Sequence, residues 1–330
     1  MKNGRLHYPL LLLFIAAGIT LSCDNGDGPE PAAPFEKVTG FVISPQGEKL
    51  VATDHGLFIL NEEERRFEQA VDKEEKTPLN DLTFNHASSS SLWLASDSWA
   101  YNATQDLYFT VENSGLTNPV VTDLHFDNNL NTGYFATPAG LDINHQNMWT
   151  HSPGFDDLYI RFDITDIGTA TNGYTYVTTN GGGIERFQVD VDGVSGATVF
   201  DSDWTQLGSN HVHTVYIDDT IQGYGTDRGV ALHFSEYTKW DWEVYTTSDG
   251  LINDTVLAVT IDSSDNWWFG TTGGISRLVA DSWTNFSVET HQLISNQIRF
   301  LAVDVDGSVW AASDQGLSHF TDAVWINYPK

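Results

Sequence analysis

The chain has a single cysteine in 330 residues, Cys23. No intrachain disulfide can form, and no cysteine-based zinc site can be assembled. Basic residues are scarce: 15 Lys and Arg stand against 45 Asp and Glu, a net charge of −30. A surface of that sign repels nucleic acid and anionic lipid headgroups, which excludes both as partners. After residue 22, no stretch reaches the roughly 18 continuous apolar residues that a membrane-spanning helix needs. Catalytic signatures are missing too: there is no G-x-S-x-G, H-E-x-x-H or P-loop, and no G-x-G-x-x-G between a strand and a helix. No cofactor, metal or catalytic residue is therefore implied. His211 and His213 share one strand face and could ligate zinc, but no third ligand can be named, so a structural or rim role is expected.

What is present begins at the N-terminus. Lys2 and Arg5 precede a short apolar run, Pro9 to Leu21, followed by small residues, the pattern of a secretory signal peptide. The run ends in Leu21-Ser22-Cys23, which resembles the lipobox of bacterial lipoproteins. The resemblance implies loss of residues 1–22 and a lipid on Cys23. Residues 23–34 hold that cysteine and a stretch rich in Asp, Gly and Pro that cannot bury apolar surface, so they read as a flexible tether. Acidic residues directly after the cysteine resemble the surface-export signal of Bacteroidetes lipoproteins. The expected location is the bacterial cell envelope, at the outer membrane, periplasmic or surface-exposed, with membrane contact through lipid alone.

From Phe35 onward one pattern recurs seven times. Each copy opens with apolar residues at its first, fourth and sixth positions: Val38-Phe41-Ile43, Leu79-Leu82-Phe84, Val121-Leu124-Phe126, Tyr159-Phe162-Ile164, Val212-Val215-Ile217, Val256-Val259-Ile261 and Ile298-Leu301-Val303. Successive copies start 41, 42, 38, 53, 44 and 42 residues apart. A second strand then runs into a turn that carries Thr or Ser in every copy and Gly in six. Trp99 replaces that glycine in the second copy, so a different turn is expected there, since a Trp adopts positive φ only at a cost. A third strand and an aromatic-rich fourth complete the unit. Four short strands per repeat of about 42 residues describe the blade of a β-propeller, and seven copies give seven blades over residues 35–330. Radial closure is preferred to an open stack because it leaves only short, protected edges. Each blade should be contiguous in sequence, with the ring closed by packing rather than by a swapped strand. The long fourth repeat carries an insertion near residues 188–203, and its Asp190-Val-Asp192-Gly193 turn has too few carboxylates for a calcium cage.

The best-preserved repeat reads Asp249-Gly-Leu-Ile-Asn-Asp-Thr-Val256, then Asp262-Ser-Ser-Asp-Asn-Trp-Trp-Phe-Gly-Thr-Thr-Gly-Gly-Ile275. It resembles the two-component-regulator propeller repeat, and Ser295 to Ile298 with Asp304 to Leu317 matches as well. In that family such propellers form the periplasmic sensors of hybrid histidine kinases, often for glycan fragments and usually in pairs ahead of a membrane helix. The resemblance implies a sensor-like module, here as one propeller on a lipid tether. The Asp boxes at 262–266 and 304–307 are expected to stabilise turns.

Propellers take ligands at the mouth of the central channel. If positions one, four and six pack between blades, positions three and five face the axis. This phasing aims Asp81, Asp123, Arg161, His125, Asp163 and Tyr216 at the channel. His213 and Arg299 fall nearer its rim, and Arg228 and Asp314 lie on turns at the same face. Three arginines converging in so acidic a chain point to a ligand with hydroxyls and an acidic group, such as a uronic-acid fragment. The leading expectation is a monomeric, non-enzymatic binding or scaffold propeller for a glycan, a peptide or an envelope partner protein. The alternative is an enzyme similar to streptogramin lyases, which place a His and a Glu near the mouth; His125 or His213 could serve, but no glutamate falls in the expected funnel.

Overall fold

The structure, a computed structural model, describes residues 33–70, 77–85, 91–127, 129–151, 163–190, 193–203, 205–218, 220–234 and 242–330. The signal sequence, Cys23 and the Val191–Asp192 turn lie outside the described residues. Seven four-stranded antiparallel sheets form, and in each the four strands follow one another in sequence order. Blade one runs from its inner strand Val38–Ile43 to its outer strand Arg66–Gln69, and blade seven from Phe300–Val303 to Val324–Pro329. The chain is a seven-bladed β-propeller.

The sequence builds each blade in the same way. Second strands such as Lys49–Thr53, Trp267–Thr271 and Val309–Ser313 are buried at every residue, because both sheet faces meet a neighbouring blade. Aromatic rings fill the wedges between blades: Trp268 and Trp310 are essentially inaccessible. Truncating rings of this kind costs about 3–5 kcal/mol each. The Thr or Ser in every turn closes the hairpin. Thr53 Oγ1 donates to the Gly56 carbonyl at 2.7 Å and accepts from the His55 N–H at 3.0 Å, and Thr271 repeats this with Gly274 and Gly273. Gly274 sits at φ +132°, and a Cβ there would lie 2.3 Å from the Phe286 carbonyl of the outer strand, so neither backbone nor space admits another residue. Blade two differs as the sequence suggested. Ser96 Oγ still reaches the carbonyl of Trp99 (3.2 Å), but Trp99 is not among the residues with positive φ, and strand pairing resumes only at Ala95–Ala100.

Blade four differs from the expected phase. Its inner strand is Ile164–Thr169, and Ile164 pairs with Thr179 as Val38 pairs with Thr53 and Val256 with Thr271. The first position is thus Ile164, not Tyr159, and the third is Asp166, not Arg161. The turn Thr supplies the rule. Val38, Ile164, Val256 and Ile298 each precede their turn Thr or Ser by 15 residues, whereas Tyr159 would precede Thr179 by 20. The long repeat is explained by strands Gly183–Asp190 and Gly193–Phe200, which are eight residues each and extend the outer hairpin.

Among the described residues, no swapped strand closes the ring. Phe35, Val38, Phe41 and Phe58 of blade one share a core with Trp310, Leu317 and Tyr328 of blade seven. On one face Asp314 accepts the Val38 N–H at 2.8 Å, and on the other Lys49 reaches Asp304 at 2.9 Å.

Candidate functional site

In five inner strands the register shifts between the first and third positions, at Val38/Gly40, Leu79/Asp81, Ile164/Asp166, Val212/Thr214 and Val256/Ala258. The bulge frees the second residue from the ladder and turns the third toward the next blade along the axis. Acidic third residues cluster on one side of the channel, from blades two to four: Asp81, Asp123 and Asp166. They line a cavity of about 290 Å³ on the axis, together with His125, His213, Thr165, Thr214 and Arg299. That volume sits at the small end of ligand pockets, about 300–1,000 Å³.

Two of the three carboxylates are tied down. Asp81 Oδ2 accepts the Leu124 N–H of blade three at 3.0 Å. Asp166 Oδ2 accepts the Val215 N–H and the Thr214 hydroxyl of blade five, both at 2.9 Å. Asp123 makes no such bond to the next blade, though its carboxyl takes the neighbouring Leu124 N–H. The N–H it would reach in blade four, that of Ile167, is already held by Asp166 Oδ1 at 2.8 Å. Asp123 Oδ2 is buried without a partner, and so is Nε2 of His213.

Although the carboxylates face a void, protein walls surround it, and burial raises all three. Asp81 is pushed up to about 7 and Asp166 up to about 6. Asp123 is raised well above the usual carboxylate range, by burial first and then by the like charges of Asp81 and Asp166. His125 is drawn down to about 4 by burial and is neutral at physiological pH; its Nε2 lies 2.9 Å from Thr169 Oγ1. Burial lowers His213 as well. At neutral pH the protons retained by the cavity thus sit on Asp123 and in part on Asp81, not on its histidines.

Of the residues singled out in the sequence, Asp81, Asp123, His125, His213 and Arg299 do meet at this cavity. Asp163 does not: it is an exposed residue ahead of the inner strand, and its carbonyl accepts the Asn180 N–H at 2.9 Å. Tyr216 turns between blades and packs on Trp267, ring centroids 5.8 Å apart, because fifth positions lean into the next blade. Arg228 is exposed on its turn, and Asp314 is engaged at the seam. Arg161 lies outside the described residues. Among the described residues, Arg299 is the arginine that lines the cavity. Arg299 Nη2 donates to Asp314 Oδ2 at 2.9 Å and Nε lies 2.9 Å from Oδ1 without hydrogen-bond geometry, so the arginine's charge is paired with that carboxylate. Asp166 and Thr165 were missed in the sequence, and the 15-residue spacing to Thr179 is the signal that locates them. Among the described residues, no three His, Cys, Asp or Glu side chains stand close enough together to hold a metal ion.

No family model matches the chain, and no curated protein matches it. Solved structures do. The extracellular domain of a hybrid two-component system from B. thetaiotaomicron superposes with a TM-score of 0.68 at 16% identity, over 89% of this chain and 39% of that one. A streptogramin B lyase gives 0.66 at 12% identity, over 88% and 94% of the two chains. PorZ, a surface component of the type-IX secretion system of Porphyromonas gingivalis, gives 0.61 at 14%, over 83% and 42%. The shared feature is the propeller. The chain spans less than half the length of the two-component ectodomains it matches. At these identities the likeness fixes the fold and leaves the chemistry to the chain's own residues.

Proposed function

We propose that the chain is a non-catalytic, ligand-binding propeller of the bacterial cell envelope, tethered by a lipid on Cys23, that takes a small donor-rich ligand such as a glycan fragment in its axial cavity. One observation carries this reading: Asp123 Oδ2 and His213 Nε2 are buried at the cavity with no partner of their own. A buried polar atom left unpaired costs about 1–3 kcal/mol, a cost that a ligand donor would remove. Binding is favoured over catalysis because, among the described residues, no glutamate lines the cavity, and the Thr214 hydroxyl there is held by an Asp166 oxygen that also accepts the Val215 N–H. The envelope location draws support from the lipobox-like Leu21-Ser22-Cys23 and from the extracellular domains among the structural neighbours.

Two measurements test it. Leu257, a half-buried residue of the cavity wall, carries no polar group, so Leu257→Trp fills the opening without touching the carboxylates. Calorimetry with envelope-derived oligosaccharides and their monosaccharides is expected to show binding to the wild type and at least a tenfold loss in this variant; equal binding by both places the ligand elsewhere. Cys23→Ala is expected to move the protein from the membrane fraction to the soluble one and to abolish incorporation of labelled palmitate. Unchanged fractionation removes the lipid anchor from the reading.

A further inference from the structure

Resting on the axial cavity as the binding site, we infer that the ligand group received at Asp123 is a protonated primary amine, so that the preferred ligand is a small hydroxylated ammonium compound of the amino-sugar class.

The argument starts from charge. Among the described residues, the titratable groups facing the cavity are Asp81, Asp123 and Asp166 from the inner strands of blades two to four, His125 beside Asp123, His213 from blade five and Arg299 from blade seven. Arg299 is neutralised by Asp314. His125 is held neutral by burial, and burial also works against charging His213. Among the described residues, three carboxylates remain with no cation beside them. Burying such a group without a counter-charge is costly, and a bound cation offsets that cost where a neutral hydroxyl does not.

Geometry then selects the kind of cation. Asp81 and Asp166 already accept backbone N–H groups, so the free acceptor is Asp123 Oδ2, with the remaining lone pairs of its neighbours around it. The carboxylates do not converge closely enough to enclose a bare metal ion. An ammonium brings three N–H donors pointing in different directions and a body that extends toward Thr165, Thr214 and His213 Nε2, where hydroxyls can bond. A cavity of about 290 Å³ suits one small ring. The net charge of −30 draws cations in from a distance and turns anions away.

Proton linkage follows. Near neutral pH the carboxylate cluster retains protons, and an ammonium displaces them on entry, so binding should release protons and weaken in acid.

The test uses matched pairs that differ only by the amine: glucosamine and glucose, galactosamine and galactose, ethanolamine and ethylene glycol. Titration calorimetry on the full chain at pH 7.5 is expected to show at least one amine binding tenfold or more tightly than its neutral partner. Its heat should depend on the buffer's ionisation enthalpy, in the sense of up to about one proton released, and its affinity should fall at least tenfold at pH 5. Asp123→Asn, nearly isosteric and missing no hydrogen bond of Oδ2, is expected to erase the preference while the melting temperature holds or rises. Calcium chloride added at millimolar concentration should not compete. If neutral sugars bind as well as their amines and Leu257→Trp blocks both, the cavity reading stands and the ammonium inference falls. Full amine preference in Asp123→Asn, or displacement by calcium, also overturns it. If no member of any pair binds, the ammonium inference falls, while the cavity reading is decided by oligosaccharide binding to the wild type and Leu257→Trp.

Discussion

Two carboxylates withdrawn from bulk water show how differently one residue type can be used. Asp142 is fully buried and fully satisfied: it accepts the Thr117 N–H at 2.8 Å, lies 2.9 Å from the Thr117 hydroxyl, and lies 2.5 Å from His151 Nδ1. Asp142→Ala would leave the Thr117 N–H and the His151 ring without it, and a loss of about 2–3 kcal/mol is expected in urea unfolding. Asp123 is the opposite case, a buried carboxylate with an idle oxygen. Its native pKa lies well above the usual carboxylate value, so between about pH 4 and its native pKa the folded state binds more protons than the unfolded chain. Stability contributed by this group therefore falls as pH rises through that window. Asp123→Asn removes that penalty, and the effects of His125 and His213 largely cancel when variant and wild type are compared at each pH. The variant is expected to melt higher than the wild type, with a gap that widens from pH 5 to pH 8. A gap that shrinks would mean Asp123 is stabilised as an anion by contacts the structure does not show. Asp123 was legible in the sequence because its strand keeps a strong apolar pattern. Asp166 was not, because Tyr159-Phe162-Ile164 imitates the motif better than Ile164-Ile167-Thr169, whose sixth position is polar. Only the pairing of Ile164 with Thr179 separates them.

At the scale of the blade, sequence order and spatial order agree, so local pattern carries most of the fold. Seven repeats of apolar spacing, turn hydroxyl and turn glycine were enough for strand order and blade count. The seam is different, since its two sides are separated by nearly the whole chain. Asp304 was legible as a turn residue; that it also holds Lys49 of blade one was not. The Lys49 side chain is only 8% exposed, lies 2.8 Å from Glu62 and 2.9 Å from Asp304, and sits 4.7 Å from the ring centroid of Trp310. Burial alone would lower its pKa, but the hydrogen bonds and charges of Glu62 and Asp304 outweigh that and raise it. Exposed pairs are worth little: Arg66, 61% exposed, with Glu68 should couple by under about 0.5 kcal/mol. The seam pair lies in a poorer dielectric. A double-mutant cycle of Lys49→Met and Asp304→Asn is expected to give a coupling of about 2 kcal/mol, with Lys49→Met alone the worst variant because Asp304 is left nearly buried without its cation. Hydrogen exchange in Val38–Ile43 should quicken in Lys49→Met and not in Arg66→Ala. Equal exchange in the two would mean the ring is closed by its apolar core alone.

The whole molecule carries 45 acidic residues against 15 basic ones, and its few ion pairs decide how it responds to salt. Among the described residues, the Lys and Arg pairs are Lys49 with Glu62 and Asp304, Arg66 with Glu64 and Glu68, and Arg299 with Asp314. Most acidic side chains therefore face others of their own sign, and folding draws them together over a compact ring. Two opposing effects follow from adding sodium chloride. Screening weakens the ion pairs, but the Lys49–Asp304 pair is largely shielded from ions, the Arg299–Asp314 pair is partly so, and the exposed Arg66 pairs contribute little to begin with. Screening also weakens the mutual repulsion of the acidic surface, which acts over many pairs at distances near the Debye length, about 10 Å at 0.1 M and about 3 Å at 1 M. The second effect dominates on count and on range. The melting temperature is expected to rise steadily from 20 mM to 1 M sodium chloride, most steeply at the low end, where the screening length changes fastest. Chloride is the anion to use, because sulfate would strengthen apolar burial on its own and hide the electrostatic part. Lysine substituted for exposed Asp or Glu beside the outer strands, Asp281→Lys for example, should raise the low-salt melting temperature and flatten the salt response. A flat or falling profile in the wild type would mean that self-repulsion is already relieved in the native ring, and that the seam pairs, not the net charge, govern its electrostatics.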